Sequence, residues 1–191
     1  MTALTAMQLR LQAAALNLVL PLAATLLLTA SAKISVPFYP VPMTLQTFVV
    51  IGLGFVLGSR RAAVAMLLYL AEGAAGLPVF SGTPEKGIGL AYMLGPTGGY
   101  LLGYLPAVLL AGWTVSRGWA VNGLAASLSA LLAGAIVYLP GLLWLGAVIG
   151  FDKPVLQYGL YPFILGDVTK AILAALLFIA GRGAIKGRAG R

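Results

Sequence analysis

Six long apolar stretches, separated by short polar or glycine- and proline-rich connections, constrain the fold of this chain most strongly. The stretches cover residues 13–32, 44–58, 62–80, 98–116, 119–140 and 159–181. A helix that crosses a bilayer needs about 20 mainly apolar residues, whereas the strands of a transmembrane β-barrel alternate in polarity. Because the stretches are continuous, the sequence predicts an all-α polytopic membrane protein, with six transmembrane helices in a single domain over residues 1–191.

The composition supports a lipid environment. Of the 191 residues, 61% are hydrophobic and 8% are charged. Soluble domains average about 45–50% apolar and about 25% charged residues. Residues 141–158 are also rather apolar and either extend the fifth helix or form an interfacial segment, so an odd number of spans is the alternative.

The basic residues indicate the orientation of the helices, because cytoplasmic loops carry an excess of Lys and Arg. Most of them fall at the two termini and in alternating loops, while fewer fall in the other loops and one lies within a span. We therefore expect both termini in the cytoplasm and the protein in the plasma membrane of a prokaryote. The inner group is Arg10, Arg60, Arg61, Arg117, Arg182, Lys186, Arg188 and Arg191, the outer group is Lys33, Lys86 and Lys153, and Lys170 is embedded.

The first stretch also has features of a signal peptide, since Arg10 precedes an apolar run that ends in Ala30-Ser31-Ala32. The apolar region of a signal peptide usually has about 7–15 residues. The run here is longer, so we interpret it as the first span.

The predicted outer connections are long and chemically distinctive. Residues 33–43 contain three prolines, which exclude a helix and favour an extended segment, and residues 81–99 are rich in glycine. The inner connections are short by comparison. This asymmetry favours a protein that captures something from the outer side.

Asp167 and Lys170 are the most informative pair of residues. They lie at positions i and i+3 of the last span and so share a helix face. Each charge within a membrane costs about 2.5–3.5 kcal/mol on insertion scales. The two residues either neutralise one another or form part of a polar ligand pocket, and we favour the pocket, because a buried ion pair is weak evidence of stabilisation.

A third embedded charge, Glu72, lies in the third span at a depth similar to that of Lys170. The two side chains would meet if their helices touch. Glu72 is therefore either a pocket or relay residue or a structural partner.

The segment Gly95-Pro96-Thr97-Gly98-Gly99-Tyr100 precedes the fourth span and has two interpretations. Glycines at a helix N-terminus suit an anion such as a carboxylate. Alternatively, Gly95, Gly99 and Gly103 allow close helix packing. We interpret Gly54 and Gly58 as a packing pair.

Aromatic residues gather at the predicted outer ends of the spans, where they either anchor the helices at the interface or wall an apolar pocket. They are Phe38, Tyr39, Phe80, Tyr92 and Tyr161. Gln46 needs a hydrogen-bond partner once it is buried, so it is either a pocket residue or a contact between helices.

The chain contains no histidine and no cysteine. We therefore expect no metal site, no cofactor and no catalytic residues, and we predict that the chain is not an enzyme. The segment from Gly82 to Gly87 lacks the Lys-Ser/Thr of a phosphate-binding loop, so the chain is not its own ATPase. The embedded character of the chain argues against a nucleic-acid partner despite its net charge of +8.

Four short motifs occur in a distinctive order: Pro42-Met43-Thr44-Leu45-Gln46-Thr47, Gly76-Leu77-Pro78-Val79-Phe80, Gly95–Tyr100 and Gly166-Asp167-Val168-Thr169-Lys170. The set resembles the BioY family, the biotin-binding S components of energy-coupling-factor (ECF) transporters. The resemblance spans most of the chain.

The resemblance implies a six-helix S-component fold that captures biotin near the outer surface. It implies two kinds of partner, an ECF transmembrane coupling protein and two cytoplasmic ATPase subunits, besides the lipid bilayer. It also implies that Asp167 and Lys170 bind the ureido head of biotin and that the Thr44–Gln46 and Gly95–Tyr100 segments line the site. The expected substrate-binding residues are Thr44, Gln46, Phe80, Tyr92, Thr97, Gly98, Tyr100, Asp167 and Lys170.

One family feature is missing. S components often carry an Ala-x-x-x-Ala pair in the first helix for docking, whereas the alanines here (Ala13, Ala14, Ala15, Ala23 and Ala24) form no such pair. Assembly as a homo-oligomer is left open by the sequence.

Three other functions compete with biotin capture. They are an S component for another vitamin, an intramembrane enzyme that uses Glu72 and Asp167 as acid and base, and a small channel or membrane scaffold.

Overall fold

The computed structural model describes residues 3–189, and it describes side chains for residues 16–184 except residue 18. The side chains of Arg10, Ala13, Ala14, Ala15, Lys186 and Arg188, and all of Arg191, therefore lie outside the described part. The elements in chain order are α1 (Ala3–Lys33), β1 (Ser35–Val36), β2 (Met43–Thr44), α2 (Gln46–Ala74), α3 (Gly89–Met93), α4 (Gly98–Ser116), α5 (Gly123–Ala135), α6 (Tyr138–Ile149), α7 (Val155–Gly159) and α8 (Ile164–Ala189).

Apolar helices dominate the structure, as predicted. Four helical stretches within the described residues are long and apolar enough to cross a membrane, and Val19–Lys33 is a shorter apolar helix. The four are Gln46–Ala74, Gly98–Ser116, Gly123–Ile149 and Val155–Ala184.

The first of these stretches, α2, folds back on itself at Gly58. The backbone there has φ 74° and ψ 167°, a combination that only glycine adopts readily. Gln46 Nε2 donates a hydrogen bond of 2.8 Å to Tyr69 Oη, although these residues would be roughly 35 Å apart in a straight helix. The two arms of α2, residues 46–57 and 59–74, therefore run antiparallel, where the sequence predicts the second and third spans.

Glycines allow α4 to pack closely against α2 near this turn. A Cβ atom on Gly54 would lie 2.6 Å from Ala111 Cβ, and one on Gly112 would lie 2.2 Å from Ser59 N. Ser59 Oγ also donates to Leu109 O at 2.9 Å. Gly54 is thus a packing residue, whereas Gly58 provides the turn.

The third predicted span, 62–80, ends too late. The second arm of α2 stops at Ala74 because Gly76 has a φ of 95° and Pro78 cannot continue a helix. Phe80 consequently lies in a loop rather than at a helix end.

The fifth predicted span, 119–140, starts too early and ends too early. Asn122 Oδ1 caps the helix by accepting a 2.9 Å bond from Ala125 N, so α5 begins at Gly123. Beyond a short break, α6 continues to Ile149. The apolar segment after residue 140 therefore extends the fifth helix, and the last helix, α8, begins at Ile164 rather than near 159.

The proline-rich segment between α1 and α2 is not helical, as expected. Ser35 pairs with Thr44 and Val36 with Met43 in an antiparallel two-stranded ribbon. Leu45 N donates to Ile34 O at 3.0 Å. This ribbon fixes Met43 and Thr44 beside the start of α2, where they border the site described next.

Candidate ligand-binding site

A partly enclosed cavity lies at the end of the bundle where α1 ends and α2 begins. Its walls come from the β1–β2 segment, from α2, α3, α4, α6 and α8, and from the loops beside them. The lining residues are Val41, Pro42, Met43, Thr44, Gln46, Thr47, Ser81, Tyr92, Thr97, Tyr100, Leu101, Tyr104, Val137, Tyr138, Phe163, Asp167 and Lys170.

Asp167 and Lys170 form an ion pair in the wall of this cavity. The Lys170 ammonium also donates to Thr44 O at 2.8 Å and to Thr47 Oγ1 at 2.9 Å. An ammonium has three protons, so each of them has an acceptor in this arrangement. The lysine is thus held tightly although it is only 9% exposed.

The Asp167 carboxylate accepts hydrogen bonds from two hydroxyls besides its contact with Lys170. Thr47 Oγ1 donates to Oδ1 at 2.9 Å, and Tyr138 Oη donates a short bond to Oδ2. A carboxylate offers about four acceptor positions, so one position on Oδ2 is left for another donor. The charges neutralise one another and also face a cavity, so the geometry is compatible with a ligand pocket.

Seven of the nine predicted site residues line the cavity: Thr44, Gln46, Tyr92, Thr97, Tyr100, Asp167 and Lys170. Phe80 and Gly98 do not line it. Phe80 lies behind the wall and stacks on Tyr92 with ring centroids 5.2 Å apart. Gly98 packs against the backbone, since a Cβ on it would lie 1.8 Å from Met93 O.

The glycine-rich segment before α4 is closely packed. Gly98 N donates to Gly95 O at 3.1 Å, and Leu101 N donates to Thr97 O at 3.2 Å, so these amides are already engaged. A Cβ on Gly99 would lie 2.3 Å from both Pro140 O and Trp144 Cβ. Close packing is compatible with a carboxylate near this segment, which stays a prediction.

Gln46 fulfils both roles considered for it. Its side chain lines the cavity, accepts a 3.2 Å bond from Thr44 Oγ1 and donates to Tyr69. Glu72 does not meet Lys170. Instead, Thr25 Oγ1 donates to Glu72 Oε1 at 3.1 Å, because this face of α2 packs against α1, so Glu72 is a structural partner between helices.

Ten lining residues are not among the predicted site residues, and they include Thr47, Tyr104, Tyr138 and Phe163. Thr47 lies three positions after Thr44, and Tyr104 lies four positions after Tyr100, so helical spacing from predicted residues was the available signal. Tyr138 and Phe163 come from separate elements, and the sequence contains no local signal for them.

The cavity combines apolar walls with a polar cluster at one side. Aromatic rings form much of the wall, while Asp167, Lys170, Thr44 and Thr47 form the polar cluster. Burial raises the pKa of the Tyr92 phenol, so this side chain stays neutral near pH 7. Such a site suits a mostly apolar ligand with a compact group of hydrogen-bond donors and acceptors.

The cavity is narrow. Its volume is about 50 Å³, which is space for a few water molecules. A ligand with two fused rings requires the lining side chains and loops to move apart.

A family model described as the BioY family matches residues 4–187. Among curated proteins, the chain is 38% identical over 151 residues to the "Probable biotin transporter BioY" of Pyrococcus horikoshii, which covers 79% of this chain and 86% of that protein. It is also 38% identical over 161 residues to the "Biotin transporter BioY" of Rhizobium etli, covering 81% and 83% of the two chains.

A solved structure shares the fold. It is described as the S-component for biotin from an ECF-type ABC transporter, and it superposes with a TM-score of 0.73. The superposition covers 96% of this chain and 95% of the other, at 26% sequence identity.

Proposed function

Because the chain belongs to the BioY family, we propose that it is a membrane-embedded subunit that captures biotin from the outer side for uptake. The relatives are named biotin transporters, and the solved relative is a biotin S component. The observation that carries the proposal for this chain is the Asp167–Lys170 pair, which faces a cavity with aromatic walls.

The chemistry of biotin matches the polar cluster. Its ureido ring has two N–H donors and one carbonyl acceptor, and the sulfur-containing ring fused to it is apolar. Asp167 Oδ2 has an acceptor position left after its bond from Tyr138, so a ureido N–H can bind without breaking a contact. The ureido carbonyl takes a proton of Lys170 in place of the neutral Thr44 carbonyl or Thr47 hydroxyl.

Binding requires the cavity to open and then close around the ligand. The segments that border it, residues 34–45 and 79–83, belong to the connections between helices rather than to the helices themselves. Closure over biotin changes the outer surface, and the loaded and empty forms then differ in how they engage a partner.

The antiparallel arms of α2 support a six-span topology. We infer that both arms, α1, α4, the α5–α6 unit and α8 each cross the membrane, with both termini in the cytoplasm of a prokaryotic cell. Arg61 binds Asn17 at one end of the bundle, while Lys33 binds Phe80 at the other. The excess of Lys and Arg at the positions assigned to the Arg61 end supports this orientation.

The partners are a transmembrane coupling protein and two cytoplasmic ATPases, in keeping with the ECF transporter context of the solved relative. The chain supplies recognition and no catalysis. Glu72, which an intramembrane enzyme would use with Asp167, instead binds Thr25 between α1 and α2.

Calorimetric titration of the purified protein tests the proposal. We expect saturable binding of biotin, and no binding of lipoic acid, which has the same acid tail but no ureido group. Riboflavin and thiamine serve as comparison vitamins. Binding of one of these with no binding of biotin would establish the alternative S component, and lack of binding by any of them would contradict vitamin capture.

A further inference from the structure

The ammonium of Lys33 donates hydrogen bonds to three acceptors on a single loop. Lys33 Nζ lies 2.8 Å from Phe80 O, 3.0 Å from Thr83 O and 3.0 Å from Thr83 Oγ1. An ammonium has three protons, so these contacts use all of them. None of the three acceptors is charged, so the contacts fix the position of the loop rather than neutralise a carboxylate.

This loop, residues 79–83, is called the wall loop here because it closes one side of the cavity. Ser81 lines the cavity directly. Phe80 is 1% exposed and supports the lining residue Tyr92 from behind through the stacked contact at 5.2 Å. Displacement of the wall loop would therefore move two parts of the binding surface.

Packing also holds the wall loop, since Val79, Phe80, Ser81 and Thr83 are buried. Tyr69 Oη donates to Val79 O at 3.1 Å at its start. The ring of Phe80 occupies the space left by Gly73, where a Cβ would lie 1.9 Å from it. Towards the end of the loop, the hydrogen bonds from Lys33 connect it to α1.

Lys33 also occupies a particular place in the chain. It is the last residue of α1 and leads directly into the segment that contains Val41, Met43 and Thr44 of the cavity wall. It thus joins the two connections that border the cavity, which are far apart in sequence.

We propose that Lys33 is a positioning residue for ligand retention: it holds the wall loop closed against the cavity and thereby slows ligand release. This inference rests on the proposed binding of biotin. Preorganised loops strengthen binding by reducing the ordering cost, and most affinity differences between variants of one complex lie in the dissociation rate.

The test uses the full chain in detergent and measures association and dissociation rates of labelled biotin. Lys33→Met keeps the length of the side chain and removes its donors. We expect dissociation to become roughly tenfold faster, because hydrogen bonds from a charged group typically contribute about this much to stability. Association should change little. Lys153→Met, at a lysine whose side chain is 57% exposed and that lies outside the wall loop, is the control and should leave both rates unchanged.

A double-mutant cycle separates positioning from a general loss of stability. Thr83→Val removes one acceptor of Lys33 and should also accelerate dissociation. Combined with Lys33→Met it should add little, because both changes release the same loop. Additive effects, or unchanged dissociation in both single variants, would overturn the role of Lys33, whereas a wild-type protein that does not bind biotin would overturn the proposed function itself.

Discussion

Thr47 Oγ1 donates a hydrogen bond of 2.9 Å to Asp167 Oδ1, across 120 positions of sequence. The same hydroxyl accepts a 2.9 Å bond from Lys170 Nζ. One threonine on α2 therefore contacts both members of the charged pair on α8. Its hydroxyl fixes the direction in which the carboxylate and the ammonium face the cavity.

Replacement of Thr47 tests this arrangement. Thr47→Val preserves the shape of the side chain but removes both hydrogen bonds, so we expect biotin affinity to fall roughly tenfold. Thr47→Ser retains the hydroxyl and should bind nearly as wild type does. Calorimetry on both variants provides the comparison, and equal affinities for valine and serine would show that the hydroxyl does not orient the pair.

Tyr69 connects the two arms of α2 with the wall loop. Its hydroxyl accepts from Gln46 Nε2 at 2.8 Å and donates to Val79 O at 3.1 Å. Tyr69→Phe leaves the Gln46 amide and the Val79 carbonyl without this partner. We expect the free energy of unfolding to fall by about 1–3 kcal/mol. Thermal unfolding in detergent measures the effect.

The matched control is Tyr39→Phe, because Tyr39 is 89% exposed. This variant should unfold at the wild-type temperature. A similar response of the two variants would show that the Tyr69 hydroxyl is not a significant link between the arms.

Gly58 permits the reversal between the arms. No atom lies within 4 Å of a Cβ placed there, so Gly58→Ala introduces no clash. The backbone conformation alone should cost about 1–3 kcal/mol, seen as a lower unfolding temperature. Gly52→Ala is the control, since that site is also open but helical. It should be neutral or stabilising, and a loss of stability equal to that of Gly58→Ala would contradict the strain at the turn.

The helical membrane fold was predictable because apolar length is a local property of the sequence. The start of α4 at Gly98 and its end at Ser116 match the predicted span, and glycine and proline mark these boundaries in the sequence. The sequence alone leaves open whether the fifth helix continues beyond residue 140, since the residues after this position are also apolar. Apolar composition does not distinguish a longer helix from an interfacial segment.

The candidate site was predictable where two residues share one helix face. Asp167 and Lys170 are three positions apart, and the free-energy cost of charges within a membrane indicates a functional role for the pair. Tyr138 was not predictable, because its contact with Asp167 depends on how α6 packs beside α8. The sequence predicts that Phe80 lines the cavity. In the structure its ring fills the space beside Gly73 and lies behind Tyr92.

The charged pair on α8 is the centre of the proposed recognition of biotin. Asp167→Asn preserves size and removes the charge, while Lys170→Ala removes the ammonium. Before titration, both variants should elute at the wild-type volume in size-exclusion chromatography, which shows that the fold is intact.

Calorimetric titration of these two variants with biotin is the most direct measurement. We predict that each binds biotin roughly 10–100-fold more weakly than wild type, as expected for the loss of charged hydrogen bonds. Wild-type affinity in both variants would show that Asp167 and Lys170 serve only one another and do not bind the ligand.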